Sequence, residues 1–457
     1  MVQRAKTETF WDRATETMPR RDLEQLQMSR VRSCLKRLQA SGIQYYCERL
    51  DEVRPDQIRS VEDLERLPFM VKDDLCEHYP FGLFLVPQSK ILRIHASSGS
   101  TGKPTVVGYT RSNLESWANA LARRLVAGGL TGDDTFQNAY GYGLFTGGLG
   151  FHGAAPQLGT AALPTSVGKT SQQVMLMHDF GVTAFGATPS HALHLAEATT
   201  EEGIDLHSLP VRAAFLDAEP TTEKMATKIE EKMGIEVYEQ YGLSEIIGPG
   251  VASACGRSEG MHIWEDHFIP EIVEPETEEP LADGEVGELV LTAPTKEALP
   301  VIRYRTRDLA RLCREPCPCC RTGARISRIL GRTDDMLIVR GVNVFPSQIE
   351  HALLDIEGLE PRYQLVLSTR EDHQDNLRVQ VEVSDRFAKE PDARAEVESH
   401  AQYALQNNLS LNATVELTEP NTIPHSQGKA VRVLDERTGI GRRPRSYPSK
   451  HTKGKPP

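Results

Sequence analysis

The chain of 457 residues contains no run of about 18 apolar residues free of charge, so nothing in it reads as a membrane-spanning helix. Its most apolar region, 140–167, is broken by His152, Pro156, Gln157 and many glycines. The first eight residues lack the apolar core of a secretory signal, and a cytoplasmic location is the expectation. A basic excess is missing too. Lys and Arg number 52 against 64 Asp and Glu, and the net charge of −12 argues against a nucleic-acid partner. Cysteine is scarce: eight residues cannot staple a chain of this length as a disulfide scaffold. No internal repeat stands out. There is no Gly-x-Ser-x-Gly elbow of a hydrolase, since Gly242-Leu-Ser-Glu-Ile246 lacks the final glycine. Nor is a glycine-rich loop paired with the His-Arg-Asp and Asp-Phe-Gly motifs of a kinase.

What remains is a soluble globular enzyme composition, 39% hydrophobic and 25% charged, in a chain too long for one core. Leu23, Leu26, Val31, Cys34, Leu35 and Leu38 fall at helical spacing and predict an opening amphipathic helix over 20–40. From 90 to 250, short apolar runs such as 183–188 and 213–216 alternate with helical patterns at 190–200 and 222–233. That alternation predicts α/β layering on mostly parallel strands. Residues 287–292 read as a strand of a more antiparallel region. Beyond 331–341 comes a compact pattern: a helix from Pro346 to Leu354, strands at 364–368 and 378–383, a helix over 392–409 and a strand at Val415. Val379, Val381 and Val383 alternate with polar residues and predict one buried face. The expected organisation is a large domain over 1–333, a small α+β domain over 334–440, and a tail over 441–457. The tail carries six Lys or Arg and no acid, and is expected to be disordered.

The most informative stretch is Ala96-Ser-Ser-Gly-Ser-Thr-Gly-Lys-Pro-Thr105. Ser97, Ser98, Gly99, Ser100, Thr101, Gly102 and Lys103 combine backbone N–H groups, hydroxyls and one cation as a cradle for phosphate oxygens. A P-loop would need glycine at Ser97 and Ser or Thr at Pro104. Four cysteines, Cys313, Cys317, Cys319 and Cys320, crowd into eight residues, a spacing that reads as a metal site or reactive thiols.

The cradle is followed in order by Tyr140-Gly-Tyr-Gly-Leu-Phe-Thr-Gly-Gly-Leu-Gly150, Ala218-Glu-Pro220, Tyr241-Gly-Leu-Ser-Glu245 and Gly260-Met-His-Ile-Trp-Glu-Asp-His267. Then come Arg303-Tyr-Arg-Thr-Arg-Asp-Leu309, the stretch 331–350 and Ser426-Gln-Gly-Lys429. In this set and order the chain resembles the phenylacetate–CoA ligase family of adenylate-forming enzymes from about residue 8 to 436. The resemblance implies an α/β fold, with a large adenylate-forming domain of mixed sheets, helices and a β region, and a small mobile α+β lid. It implies ATP-dependent conversion of an aryl or arylacetic acid to acyl-AMP, then transfer to CoA with release of AMP. The alternative is loading of a carrier-protein thiol or another acceptor. A binding protein that has lost catalysis is disfavoured by intact Lys429, Glu245 and Asp308.

The same resemblance assigns roles. Residues 97–103 hold the β- and γ-phosphates. Ala218, Glu219 and Pro220, with Tyr241, Gly242 and Ser244, flank adenine. Asp308 accepts both ribose hydroxyls, which two carboxylate oxygens suit, and Arg332 adds a ribose or phosphate contact. Arg307 stands where the family pattern has glycine. Glu245 ligates Mg²⁺, a hard cation that prefers oxygen. Lys429 stabilises the charge that gathers as the acid attacks the α-phosphate. Asp334 is the hinge about which the lid turns, and Gly341 lets the pantetheine arm of CoA pass. Tyr140, Gly141, Tyr142 and Phe145 line the acid pocket. Cys255, His262, Cys317 and Cys319 form the preferred structural Zn²⁺ set, as in members carrying Cys-Pro-Cys-Gly. Cys320 replaces that glycine here, and Cys313 is a rival ligand. The expected partners are a small aromatic acid and CoA or a carrier protein, without nucleic acid or membrane, and a homodimer is the assembly to test.

Overall fold

The computed structural model describes residues 10–97, 104–201, 203–219, 221, 223–334, 337–339, 342–354, 356–369, 375–409, 413–423 and 432–437. They fall into two compact units that divide between Thr333 and Asp334.

After a short helix at Arg13–Glu16, the first unit continues with α1 (Arg20–Gln39), whose buried Leu23, Met28, Val31, Cys34, Leu35 and Leu38 form one apolar face. An antiparallel hairpin follows, β1 (Arg93–Ala96) and β2 (Val106–Tyr109). It leads into α2 (Arg111–Ala127), capped by Thr110 Oγ1 accepting from the Asn113 amide at 3.3 Å. Next come β3 (Thr135–Asn138), α3 (Gly147–Ala154), β4 (Ala161–Leu163), α4 (Thr170–Asp179), β5 (Ala184–Ala187), α5 (Pro189–Glu201), β6 (Ala213–Leu216) and α6 (Glu223–Met233). The unit continues with β7 (Glu236–Leu243), β8 (Gly248–Ala254), β9 (Met261–Ile263), β10 (Ile269–Val273), β11 (Gly287–Ala293), β12 (Val301–Ala310), β13 (Leu312–Cys313), β14 (Arg325–Ile326) and β15 (Gly331–Arg332).

A nine-stranded sheet, ordered β13-β14-β9-β8-β7-β6-β5-β3-β4, organises this unit. Pairing is parallel from β4 to β7 and antiparallel from β7 to β13. Every residue of β5 and β6 is buried, as expected where helices cover both faces of parallel strands. A second, antiparallel sheet runs β10-β11-β12-β15. Two buried arginines tie α2 to β7 of the large sheet and to the segment that precedes β10. Arg123 forks onto both Asp266 oxygens at 2.7 and 3.0 Å, and Arg124 donates to the Tyr238 and Glu239 carbonyls at 2.6 and 2.8 Å. Such burial is tolerated because the guanidinium donors find acceptors. No helix of the described residues is long and apolar enough to cross a membrane.

Two buried histidines make this unit acid-sensitive. Burial pushes His191 down to about 4, aided by neighbouring His194, and burial also pushes His267 down to about 4 against the opposing charge of Asp266. Both therefore stay neutral in the fold, while the unfolded chain takes up protons from about 6.5 downwards. Their stability contribution is complete above about pH 6.5 and is lost as pH falls towards 4. Chemical denaturation across that window is expected to show a falling stability whose slope flattens in His191→Gln and His267→Gln.

The second unit has its own core. A hairpin, β16 (Leu337–Val339) and β17 (Val342–Val344), precedes α7 (Pro346–Leu353), β18 (Leu359–Thr369), β19 (Asp375–Val383), α8 (Pro391–Leu409), β20 (Thr414–Thr418) and β21 (Val433–Asp435). The sheet runs β20-β19-β18-β21, with β18 and β19 antiparallel and the two outer pairings parallel. Val379, Val381 and Val383 are buried together with Val397, Ala401 and Leu405 of α8. One polar position of β19 departs from simple alternation. Glu382 is fully buried, accepting from Arg362 at 2.9 Å and from the Ile423 amide at 2.7 Å.

Candidate active site

Ser97 and Thr105, which flank the expected phosphate-binding residues, form a reciprocal pair. The Ser97 amide donates to the Thr105 carbonyl at 2.9 Å, and the Thr105 amide donates to Ser97 Oγ at 3.1 Å. Ser98, Gly99, Ser100, Thr101, Gly102 and Lys103 themselves lie outside the described residues. Immediately before them, the hairpin is tied to the 140–150 segment. The Leu144 carbonyl accepts both the Ala96 amide at 3.0 Å and His95 Nδ1–H at 2.9 Å. His95 is fully buried, edge-on to Tyr109 and Trp117. No spacing in the sequence singled it out.

Two separate segments converge on Asp308. The Tyr241 hydroxyl donates to its Oδ2 at 2.7 Å, and Arg332, its register partner across β12 and β15, donates to Oδ1 at 2.6 Å. Both carboxylate oxygens are thus aimed and held. Gly242, the next residue along β7, has no alternative: a Cβ there would lie 2.1 Å from the Gly248 carbonyl oxygen. Ser244 Oγ and Thr146 Oγ1 share a hydrogen bond of 3.2 Å, which ties the Tyr241–Glu245 segment to the 140–150 segment. Arg307 keeps a glycine-like backbone at φ +68°. Fully buried Glu288 compensates, accepting the Arg307 amide at 3.2 Å and its guanidinium at 3.5 Å while also pairing with Arg305 at 2.6 Å. Ala218 likewise adopts φ +74°, and Glu219 accepts from the Ser190 hydroxyl at 2.6 Å. Pro220 lies outside the described residues.

Glu245 is buried, and its carbonyl accepts from Lys296 Nζ at 2.7 Å. Lys296 is only 2% exposed. Burial drives its ammonium down to about 7, against the opposing attraction of Glu245. Sequence reasoning missed this lysine, because one Lys in Thr295-Lys-Glu297 looks like any solvated cation. In the 140–150 segment, Tyr140 is buried, stacked on Phe151 at 5.4 Å, with its hydroxyl donating to the Phe215 carbonyl at 3.0 Å. Tyr142 accepts from Asn138 Nδ2 at 2.8 Å, Phe145 is exposed, and Gly148 packs close to the Gly141 carbonyl.

The family model of AMP-binding enzymes matches residues 21–296, and that of the AMP-binding enzyme C-terminal domain matches residues 341–437. The chain belongs to the AMP-binding enzyme family. A phenylacetate–coenzyme A ligase of Thermus thermophilus is 47% identical over 443 residues, covering 92% of this chain and 98% of its own. Another, from Escherichia coli, is 45% identical over 93% of this chain and 98% of its own. A solved 2-hydroxyisobutyryl-CoA ligase in complex with R3-HIB-AMP superposes with a TM-score of 0.88 at 29% identity, covering 95% of this chain and 94% of that one.

This AMP-binding enzyme also carries a compact cysteine–histidine cluster. The ligand atoms of Cys255, His262, Cys317 and Cys319 all lie within 4.8 Å of one another. Cys255 and Cys317 sulfurs are 3.7 Å apart, and Cys319 Sγ lies 3.3 Å from His262 Nε2. His262 donates Nδ1–H to the Gly323 carbonyl at 2.7 Å, which leaves Nε2 as the free lone pair. Hydrogen bonding with Cys319, then with His262, holds the Cys255 thiol far below its ordinary value. Three sulfurs and one imidazole facing one point fit a closed tetrahedral Zn²⁺ site. Cys313 is engaged elsewhere, accepting from Arg325 at 3.3 Å, and Cys320 is exposed at φ +68°. Asp334, an exposed residue, opens the second unit. Gly341 and Lys429 lie outside the described residues.

Proposed function

We propose that this enzyme activates phenylacetate or a close aryl or arylacetic relative in two steps. A carboxylate oxygen of the acid attacks the α-phosphorus of ATP, and the bond to pyrophosphate breaks, giving acyl-AMP. The CoA thiolate then attacks the acyl carbon, and the bond to AMP breaks, giving the thioester. The observation that carries this reading is the convergence of Tyr241, Asp308 and Arg332 from three motifs, with Asp308 presenting two aimed oxygens to a ribose. The high identity to phenylacetate–coenzyme A ligases along nearly the whole chain supports the aromatic acid.

In this reading Ser97 to Lys103 wrap the phosphates, Ala218 to Pro220 with Gly242 and Ser244 flank adenine, and Tyr140, Gly141, Tyr142 and Phe145 wall the acid. Glu245 would hold Mg²⁺, which when bound offsets phosphate charge. Lys296, bonded to its carbonyl, fixes the backbone that aims it. Lys429 meets the oxyanions of the first step. Turning about Asp334 then brings the backbone at Gly341 to the CoA arm. The acid-dependent release of pyrophosphate, measured with phenylacetate, benzoate and 2-hydroxyisobutyrate, with and without CoA, tests the whole. Phenylacetate is expected to lead, with a thioester formed only when CoA is present. No exchange of labelled pyrophosphate into ATP with any aromatic acid would overturn the reading, and adenylation without a CoA thioester would shift the acceptor to a carrier-protein thiol.

The cysteine–histidine cluster would hold structural Zn²⁺ through Cys255, His262, Cys317 and Cys319. All eight cysteines are free thiols, which suits a reducing cytoplasm. Elemental analysis of protein purified without chelator is expected to give about one equivalent of zinc. Because metal binding to such a site is coupled to folding, Cys317→Ser is expected to lose the metal and lower Tm by about 5 °C or more. Less than half an equivalent in the parent protein counts against the site.

A further inference from the structure

The residues on either side of 424–431, the stretch that includes Lys429, are fastened to one strand, β18. Leu359 stands opposite Val383 and Tyr363 opposite Val381, so residues 360–362 bulge against Glu382 alone. A bulge re-aims side chains, and Arg362 here meets Glu382. Glu382 is 0% exposed and uses both carboxylate oxygens. Its Oε2 accepts from Arg362 Nη1 at 2.9 Å, and its Oε1 accepts from the Ile423 amide at 2.7 Å. The same Nη1 donates to Asn421 Oδ1 at 2.9 Å, and Asn421 takes the left-handed conformation at φ +62°. The pair therefore grips residues 421–423 at three points. On the far side, the Arg432 carbonyl accepts the Leu365 amide at 2.7 Å, and the Arg432 guanidinium lies 4.4 Å over the Tyr363 ring. A buried ion pair seldom stabilises a fold more than apolar residues of the same size, because both charges lose water. What Glu382 adds over an apolar residue is a fixed place for the Ile423 amide.

We infer that Arg362 and Glu382 are positioning residues for adenylation: they set where the chain enters the stretch carrying Lys429, and through it the aim of that lysine. This rests on the role proposed above for Lys429. A misplacement of about 1 Å at a reacting group can cost on the order of 10²-fold in rate, so the anchor should be visible in kinetics. Arg362→Met and Glu382→Gln should be made in the full-length enzyme, each alone and combined with Lys429→Ala. Pyrophosphate release, thioester formation from supplied phenylacetyl-AMP and CoA, and Tm are then measured. In both variants kcat for pyrophosphate release is expected to fall by about 10–100-fold, with KM for ATP and acid little changed. Thioester formation should stay near the parent rate. Combined with Lys429→Ala, either change should add less than about twofold, because residues acting through one group are not additive. Where a variant does not fold, Arg362→Lys, which keeps the charge and loses the fork, should show the same pattern with a smaller loss. A pair serving only the fold would lower Tm, slow both half-reactions alike and add its full factor to Lys429→Ala. That outcome, or parent-like pyrophosphate release in folded variants, would overturn the inference and leave the ligase reading intact. Unimpaired pyrophosphate release in Lys429→Ala alone would instead remove the lysine role on which it stands.

Discussion

Replacing Lys429 by alanine is expected to lower acid-dependent pyrophosphate release by about 10²–10³-fold or more, since each preorganised donor to a developing oxyanion is commonly worth that much. The decisive comparison lies in the second half-reaction. Acyl-AMP supplied with CoA should still give thioester near the parent rate, because attack in that step falls on the acyl carbon and builds no five-coordinate phosphorus. Circular dichroism and Tm should match the parent, so that the loss reads on the reaction and not on folding. A folded variant that loses both half-reactions would contradict a lysine confined to adenylation.

The second large effect is expected at Asp308. Its carboxylate accepts from Tyr241 at 2.7 Å and Arg332 at 2.6 Å, and its remaining lone pairs are those proposed for the ribose. In the proposed site Asp308→Ala removes two charge-assisted bonds to the ribose of ATP, each worth about 1.5–3 kcal/mol. With 1.4 kcal/mol per decade, kcat/KM for ATP should fall by about 100-fold or more, chiefly through KM. Stability should fall as well, by about 1–3 kcal/mol, because the buried Tyr241 hydroxyl loses its acceptor. Arg332 is half-exposed and adds little to that loss. Asp308→Asn keeps one acceptor and should fall between the two. An unchanged KM for ATP in a folded Asp308→Ala would remove the residue from the nucleotide site.

Much of this organisation is legible in the sequence because it is local. The periodicities of α1 and β19, the Pro346 helix start and the ordered motifs all reside in short windows. The resemblance names Asp308 and Arg332 separately, and only the register of β12 and β15 shows that they pair. What stays hidden depends on contacts between distant segments. His95 matters through Leu144, 49 residues away, and Lys296 through Glu245, 51 residues away. Neither has a local pattern. Arg307 in place of glycine signals a perturbed turn, yet its remedy, Glu288, lies on another strand. The ambiguity among five cysteines is likewise spatial: Cys313 is closer in sequence to Cys317 than Cys255 is, but its sulfur faces Arg325. The order of the nine-stranded sheet, with its change from parallel to antiparallel at β7, leaves no trace in strand composition.

That large sheet tapers at both borders. Its outermost strands, β4 and β13, span three residues and two residues. An intruding chain that tried to extend the sheet would find only a few unpaired backbone groups to zip onto. Self-templating growth is therefore starved of a foothold at either side.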